Sequence, residues 1–194
     1  MGDRNQIIFL QRFAPVVSGP ILEIGSKDYG STSSFREIYP DCPYIGIDMA
    51  PGAGVDAVVD LEAGIGPLPE RHFQLAVCCS VLEHVAKPWK MAENITRVVA
   101  PGGRLYMSVP WVWRYHPYPD DYFRFSFRGI ISLFPEFVWD VPHYSTNVEG
   151  ELIAVTEDNK GADNAMAKFA PREDGKAPRK YLPYLMVNML GVRR

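Results

Sequence analysis

Residues 21–30 read "ILEIGSKDYG". Four residues of strand character run into a loop that carries Gly25 and Gly30, with the acid Glu23 two positions before the first glycine. A strand that empties into a glycine-bearing loop is where α/β folds bring a ligand against bare backbone. The same grammar repeats downstream. "YIGIDMA" (44–50) and "VDAVVDLE" (55–62) have strand length and β-branched content, and "FQLAVCCSV" (73–81) is a longer apolar run. Continuous apolarity of that kind suits a strand covered on both faces. "KPWKMAENITRVV" (87–99) has helical spacing, with Trp89, Ala92, Ile95 and Val98 or Val99 expected on one side. "PGG" punctuates it before the next strand, "RLYMSVPW" (104–111).

Working outward, "NQIIFLQRFAPVV" (5–17) predicts a helix ahead of the first strand. "STSSFREIYP" (31–40) predicts a short Ser-capped helix that Pro40 ends. After an aromatic-rich loop, "DYFRFSFRGIISLFP" (121–135) turns helical in its second half. "FVWDVPHYST" (137–146) and "ELIAVTED" (151–158), joined by "NVEG", read as a closing hairpin. The expected fold is therefore α/β: a Rossmann-like, doubly wound sheet of seven strands with a C-terminal antiparallel hairpin, filling residues 1–158 as one domain. Residues 159–194 are expected as an extension. Its charged, Gly/Ala/Pro-rich part (159–180) reads as mobile, and "YLPYLMVNMLGVRR" (181–194) as docking on the domain or on a second subunit, a route to a homodimer.

The 194 residues suffice for one core, and a net charge of −3 gives no general pull toward nucleic acid or anionic membrane. No apolar run approaches the ~20 residues that span a bilayer, and the N-terminus lacks a secretory signal. Cys42, Cys78 and Cys79 are odd in number and lack metal spacing, so free thiols in a reducing cytoplasm are expected.

The loop after the first strand narrows the ligand. Dinucleotide binding wants G-x-G-x-x-G against a pyrophosphate, but Lys27 stands two residues after Gly25 and the next glycine is Gly30. Asp48 ends the second strand, where a carboxylate can accept both ribose hydroxyls. A ribose without a diphosphate fits S-adenosylmethionine. The broken phosphate loop argues against the rival reading, a nicotinamide oxidoreductase.

The series "LEIGSKDYG", "YIGIDMA", "VVDLE" and "FQLAVCCSVLEHVAKPWKMAENITRVVAPGGRLYMSVP" resembles the class I S-adenosylmethionine-dependent methyltransferases, within the broad type 11, ubiquinone-biosynthesis-like group. It covers about residues 19–158. By that resemblance Glu23, Gly25 and Ser26, with Gly30 in the same loop, surround the methionine portion. Asp48 holds the ribose with Met49 against the adenine, Asp60 and the backbone of Leu61 face the adenine amino group, and Ser80 meets the cofactor's tail. Lys27 and Asp28 depart from the family, where many relatives carry glycine.

Residues 109–126, "VPWVWRYHPYPDDYFRFS", gather aromatics, acids, His116 and Arg124. They resemble an H-x-x-P-x-D-Y-x-R-[ST] segment of bacterial methyltransferases, some of them glycan-associated. His116 is the expected base or substrate orienter, with a structural role against Asp120 or Asp121 as the alternative. Asp121 and Arg124 are expected to position the acceptor, or Arg124 to pair with one of the acids. In some relatives acids and a histidine near "SVLEHV" bind a divalent metal. Ser80 stands where those relatives carry the first acid, so no metal is expected at Glu83 and His84. The function expected is transfer of a methyl group to a hydroxyl of a small-molecule or glycan-type acceptor. The alternative is a non-catalytic S-adenosylmethionine-binding regulatory or scaffold protein.

Overall fold

The computed structural model describes residues 2–14, 16–30, 34–117, 119–160 and 184–194. Nine strands form one sheet among them: β1 (Ile21–Ile24), β2 (Tyr44–Asp48), β3 (Ala57–Val58), β4 (Phe73–Cys79), β5 (Val99–Val112), β6 (Phe137–Trp139), β7 (His143–Ser145), β8 (Leu152–Ala154) and β9 (Leu185–Arg193). The strand order is β3-β2-β1-β4-β5-β9-β7-β8, with β6 also paired to β9. β1 to β5 run parallel, and β6 to β9 pair antiparallel. The chain steps outward one way from β1 to β3 and the other way from β4 to β5. Strand order thus reverses between β1 and β4, and a crevice opens beyond their carboxyl ends.

Both faces of the sheet are covered, as the apolar run in β4 requires. Helix α1 (Gly2–Phe13) lies on one side, with Phe9, Leu10, Phe35 and Tyr39 against Ile21, Leu75, Val77 and Tyr106. Helices α2 (Pro88–Val98) and α3 (Phe127–Leu133) lie on the other, against Leu22, Ile24, Ala76, Cys78, Leu105 and Met107. The two sets alternate along β1, β4 and β5, because successive side chains of a strand point to opposite faces. α3 starts at Ser126, whose hydroxyl accepts the Gly129 N–H.

Three expectations change. Seven strands become nine among the described residues, because the closing region divides into short strands and the C-terminal segment adds one of its own. That segment is β9, laid between β5 and β7 with residues 185–191 buried, so it docks on this domain and both its edges are paired. Residues 161–180 of the expected mobile stretch (159–180), and 181–183 of the segment after it, lie outside the described residues. In α2 the buried face is Met91, Ala92, Ile95 and Val98, while Trp89 is half exposed. The helix is rotated by what it must cover: Asn94 turns inward to donate to the Leu61 carbonyl at 2.9 Å. The helix expected over 31–40 is a single 3-10 turn at Arg36–Ile38, and residues 31–33 lie outside the described set.

Helix α1 also fastens the hairpin of β7 and β8. Asn5 donates to the carbonyls of Thr146 and Val148 and accepts the N–H of Gly150. Its neighbour Gln6 reaches through the core to the Ser80 and Ser108 hydroxyls. No helix among the described residues is long and apolar enough to cross a membrane.

Candidate active site

The crevice is a cleft of ≈ 1050 Å³ at the carboxyl ends of β1, β2 and β4. Glu23, Gly25, Asp48, Met49, Asp60, Leu61 and Ser80 line it, and Glu83, His84, Trp113 and His116 face them. The strand ends bring the first set together. β1 delivers Glu23 and Gly25, β2 delivers Asp48, and the Val59 N–H bonds to the Asp48 carbonyl at 2.9 Å, which carries Asp60 alongside.

Gly25 must be glycine for two reasons. Its φ is +77°, and a Cβ there would sit 2.2 Å from Val81 Cγ2. Its N–H and that of Ser26 both bond to the Ile47 carbonyl, which folds the loop back over β2. Ser80 leaves β4 with φ +54°, a conformation that costs a residue with a Cβ about 1–3 kcal/mol. Its N–H bonds to Ser108 and its hydroxyl accepts from Gln6, so the turn into the cleft is held from two sides.

The acids differ in their hydrogen-bond partners. Glu23 is buried and accepts the Tyr44 hydroxyl at 2.7 Å, and burial raises its pKa. Asp48 Oδ1 caps the Ala50 N–H at 3.0 Å, leaving its second oxygen to offer. Asp60 Oδ1 likewise accepts from Glu62 at 2.9 Å, while its carbonyl closes the turn at Ala63 and Gly64. Asp56, the other acid of that segment, is turned away: it pairs with Arg36 and accepts the Gly46 N–H.

Two expected cofactor residues fall outside the cleft lining. Gly30 adopts φ +84° with nothing within 4 Å of a Cβ, and its N–H bonds to Asp28 Oδ1, so it is a turn residue. Ser26 lies beyond the turn at Gly25, facing a smaller hollow with Asp28 and Arg36. The loop returns to the cleft at Lys27 and Tyr29, so Gly25 is its one glycine on the lining while Ser26 and Gly30 stand off it.

On the opposite wall His116 lines the cleft, but Asp121 and Arg124 do not. The alternative expected for Arg124, pairing with one of the acids, is the contact they make. Arg124 grips both oxygens of Asp121 and donates to the carbonyls of Trp113, Arg114 and Phe123. That guanidinium holds the Asp121 carboxyl at about 2, and the second Asp121 oxygen takes the His116 N–H at 2.8 Å. The clamp sets the loop, and the loop presents His116. The His116 Nδ1 lies 3.0 Å from the Arg114 carbonyl and 3.2 Å from Asp121 Oδ2. His84 Nδ1 lies 2.5 Å from the Asp120 carbonyl. Carbonyl oxygens only accept, so both Nδ1 atoms carry protons, and in the neutral ring each Nε2 then carries the lone pair. Each Nε2 is 3.9 Å from Oε1 of Glu83, whose pKa burial pushes up to about 8.

Sequence reasoning missed several contributors, Lys27, Tyr29 and Glu62 near the strand ends among them. Gln6 comes from α1, Tyr184 and Met186 from the C-terminal segment, and Cys79 from the end of β4. Trp113 and Tyr184 meet edge-on at 4.5 Å. The apolar run of 185–190 carried a strand signal, but nothing in it said the strand would reach the cleft. Tyr115 and Tyr122 point to solvent, and Trp111 packs against Tyr144. Tyr118 lies outside the described residues. His143 Nδ1 donates to the Val141 carbonyl and its ring packs on Phe9 and Phe13.

Comparison with known proteins gives a consistent picture. Residues 22–107 match a family described as a methyltransferase domain. A curated relative, an uncharacterized methyltransferase of Mycolicibacterium gilvum, is 27% identical over 105 residues, covering 48% of this chain and 39% of that protein. Among solved structures, the YcgJ protein of Bacillus subtilis is similar with a TM-score of 0.62 at 14% identity, covering 96% of this chain and 97% of that one. The 1,6-didemethyltoxoflavin-N1-methyltransferase of Burkholderia thailandensis, solved with 1,6-didemethyltoxoflavin and S-adenosylhomocysteine, gives 0.63 at 14%, covering 99% and 78%. At such identities the structural likeness is one of fold.

Proposed function

We propose, from the premise that this chain is a class I S-adenosylmethionine-dependent methyltransferase by family match and fold, that it binds the cofactor at the β1–β4 crevice and methylates an oxygen of a small-molecule or glycan-type acceptor. One observation carries this reading: Glu23, Gly25, Asp48, Asp60 and Ser80, scattered over 58 positions of sequence, line one wall of a single cleft with His116 on the other.

The residues present fit the cofactor. Asp48 keeps a carboxylate oxygen for ribose hydroxyls. Met49 offers an apolar surface for the adenine at the cleft edge. The Leu61 carbonyl is taken by Asn94, so that residue would serve through its N–H. Glu23 and the backbone around Gly25 and Ser80 would receive the methionine portion. S-adenosylmethionine supplies a methyl group on a sulfonium, which is displaced in line. What the chain must add is alignment, exclusion of water and a place for the acceptor's proton.

The clamped loop answers the first two needs, since Trp113 and His116 wall the cleft opposite the strand ends. Oxygen is favoured over nitrogen as the acceptor atom because His84, His116 and Glu83 present lone pairs there. A hydroxyl needs its proton removed, whereas a neutral amine needs alignment alone. Calorimetry with S-adenosylmethionine and NADH tests the cofactor: binding of the first and not the second is expected. A screen of sugar nucleotides, lipid-linked sugars, phenols and amines for methylated product then tests the acceptor. Product on amines alone would overturn the oxygen assignment, and cofactor binding with no turnover on any class would return the scaffold reading.

A further inference from the structure

We propose that Glu83, His84 and His116 form a binding site for a divalent transition-metal ion of the zinc class, open on one side to the cleft. Glu83 and His84 close the turn after β4, and His116 arrives on the loop after β5. The two imidazole rings stand nearly perpendicular, 4.9 Å apart. One ligand atom from each of the three residues falls within 4.8 Å of the others.

The protonation pattern makes this more than a cluster. Both Nδ1–H groups are spent on backbone carbonyls, of Asp120 and of Arg114. In the neutral ring each Nε2 therefore turns a lone pair toward Glu83 Oε1. The Glu83 side chain is 1% exposed, and neither carboxylate oxygen has a hydrogen-bond partner among the described residues. With the rings neutral and the carboxyl ionised, as metal ligands must be, three acceptors converge with no donor between them. Leaving such a buried group unserved costs about 1–3 kcal/mol, more when it is charged. A proton on Glu83 does not resolve this, because 3.9 Å exceeds the roughly 3.2 Å reach of a hydrogen bond and one proton serves one partner. A metal ion serves all three. With bonds of about 2.0–2.2 Å tetrahedral ligands lie about 3.3–3.6 Å apart, so the two 3.9 Å separations need shrink by about half an ångström and a separation of 4.8 Å by about 1.2–1.5 Å.

The surroundings are those of a supported site. Metal-binding histidines ordinarily give their other ring N–H to a carbonyl or carboxylate, and both of these do. The Glu83 carbonyl accepts the N–H groups of Tyr122 and Phe123, at 2.8 and 3.2 Å, which ties the turn to the loop carrying His116. Two imidazoles and one carboxylate suit zinc, iron or cobalt, and not calcium or magnesium, which prefer all-oxygen shells. Three protein ligands leave a coordination position free, and all three residues line the cleft. Resting on the methyltransferase reading, an acceptor hydroxyl placed there would be acidified by the ion, and His116 would then act as ligand in place of base.

The test is metal binding itself, on the full chain stripped with chelator and without S-adenosylmethionine. Calorimetric titration with Zn²⁺ should show one equivalent per chain, and Mg²⁺ should show none. Co²⁺ should give the visible absorption of a nitrogen- and oxygen-ligated ion. Glu83→Gln and His116→Gln should each weaken Zn²⁺ binding at least tenfold, since even outer partners of metal ligands are worth about 10–100-fold. His116→Gln sits on a partly exposed loop and keeps the measurement available where Glu83→Gln fails to fold. Absence of stoichiometric Zn²⁺ binding, or binding unchanged in His116→Gln, overturns the site. Either result leaves S-adenosylmethionine binding to be judged separately, by its own titration.

Discussion

The two walls of the cleft are built by different rules. One wall is the row of strand ends, Glu23 and Gly25 after β1, Asp48 at the end of β2 and Ser80 after β4, where the parallel sheet dictates each position. The other is the loop after β5, where nothing regular exists and an ion pair, Arg124 with Asp121, supplies the order. The first wall is held by backbone hydrogen bonds that any parallel sheet makes. The second depends on a few specific side chains whose loss the sheet cannot repair. Binding of the cofactor and handling of the acceptor should therefore fail independently.

The sharpest break is His116→Ala. General-base participation is typically worth about 10²–10⁴-fold, and loss of a metal ligand is no milder. Turnover on an acceptor found by screening should fall by that order while calorimetry finds S-adenosylmethionine affinity nearly unchanged. A parallel loss of affinity would mean that the walls are coupled after all.

Next comes Arg124→Ala, which leaves the Asp121 carboxylate, 1% exposed, without its partner. Breaking a buried pair costs about 3–5 kcal/mol, and the partial exposure of Arg124 lowers the expectation to about 2–3 kcal/mol. Thermal melts should show it. The pH dependence has a definite sign. Arg124 holds the Asp121 pKa at about 2, below its unfolded value of about 3.9, so the stabilisation is complete above about pH 4 and is lost as pH falls from there toward 2. In Arg124→Ala this acid-range loss should shrink. An unchanged acid profile would show that the clamp is not the source of the loop's order.

A glycine pair separates cofactor contact from simple turning. Gly25→Ala meets both a positive φ and Val81, so it should lower S-adenosylmethionine affinity more than tenfold or prevent folding. Gly30→Ala meets only the φ penalty, about 1–2 kcal/mol of stability, and should leave affinity intact. A loss of affinity in Gly30→Ala would restore that residue to the site.

How much the sequence disclosed follows the same division. The parallel strands, the crevice and Asp48 were legible because a strand's period and a strand end's position are local properties. Ser26 and Gly30 were expected at the cofactor from the family resemblance of the loop; alternate residues of that loop, Gly25, Lys27 and Tyr29, line the cleft, while Ser26 and Gly30 do not. Trp89 was placed inward because helical spacing alone does not fix a helix's rotation; Asn94 reaching for Leu61 does. The acceptor side was the least legible. His116 is 32 residues from His84, and the clamp together with the bonds from Tyr122 and Phe123 to the Glu83 carbonyl brings their rings together. The tail was read as an extension because a charged stretch precedes it, yet its apolar residues close the sheet as β9.

The central claim is that the strand-end wall binds S-adenosylmethionine, and Asp48→Ala tests it most directly. Hydrogen bonds to a charged group are worth about 1.5–3 kcal/mol each. Calorimetric titration of S-adenosylmethionine into the folded Asp48→Ala protein should therefore show at least a tenfold weaker affinity than the wild type. An affinity equal to wild type, with circular dichroism showing an intact fold, would contradict the account and remove Asp48 from the site.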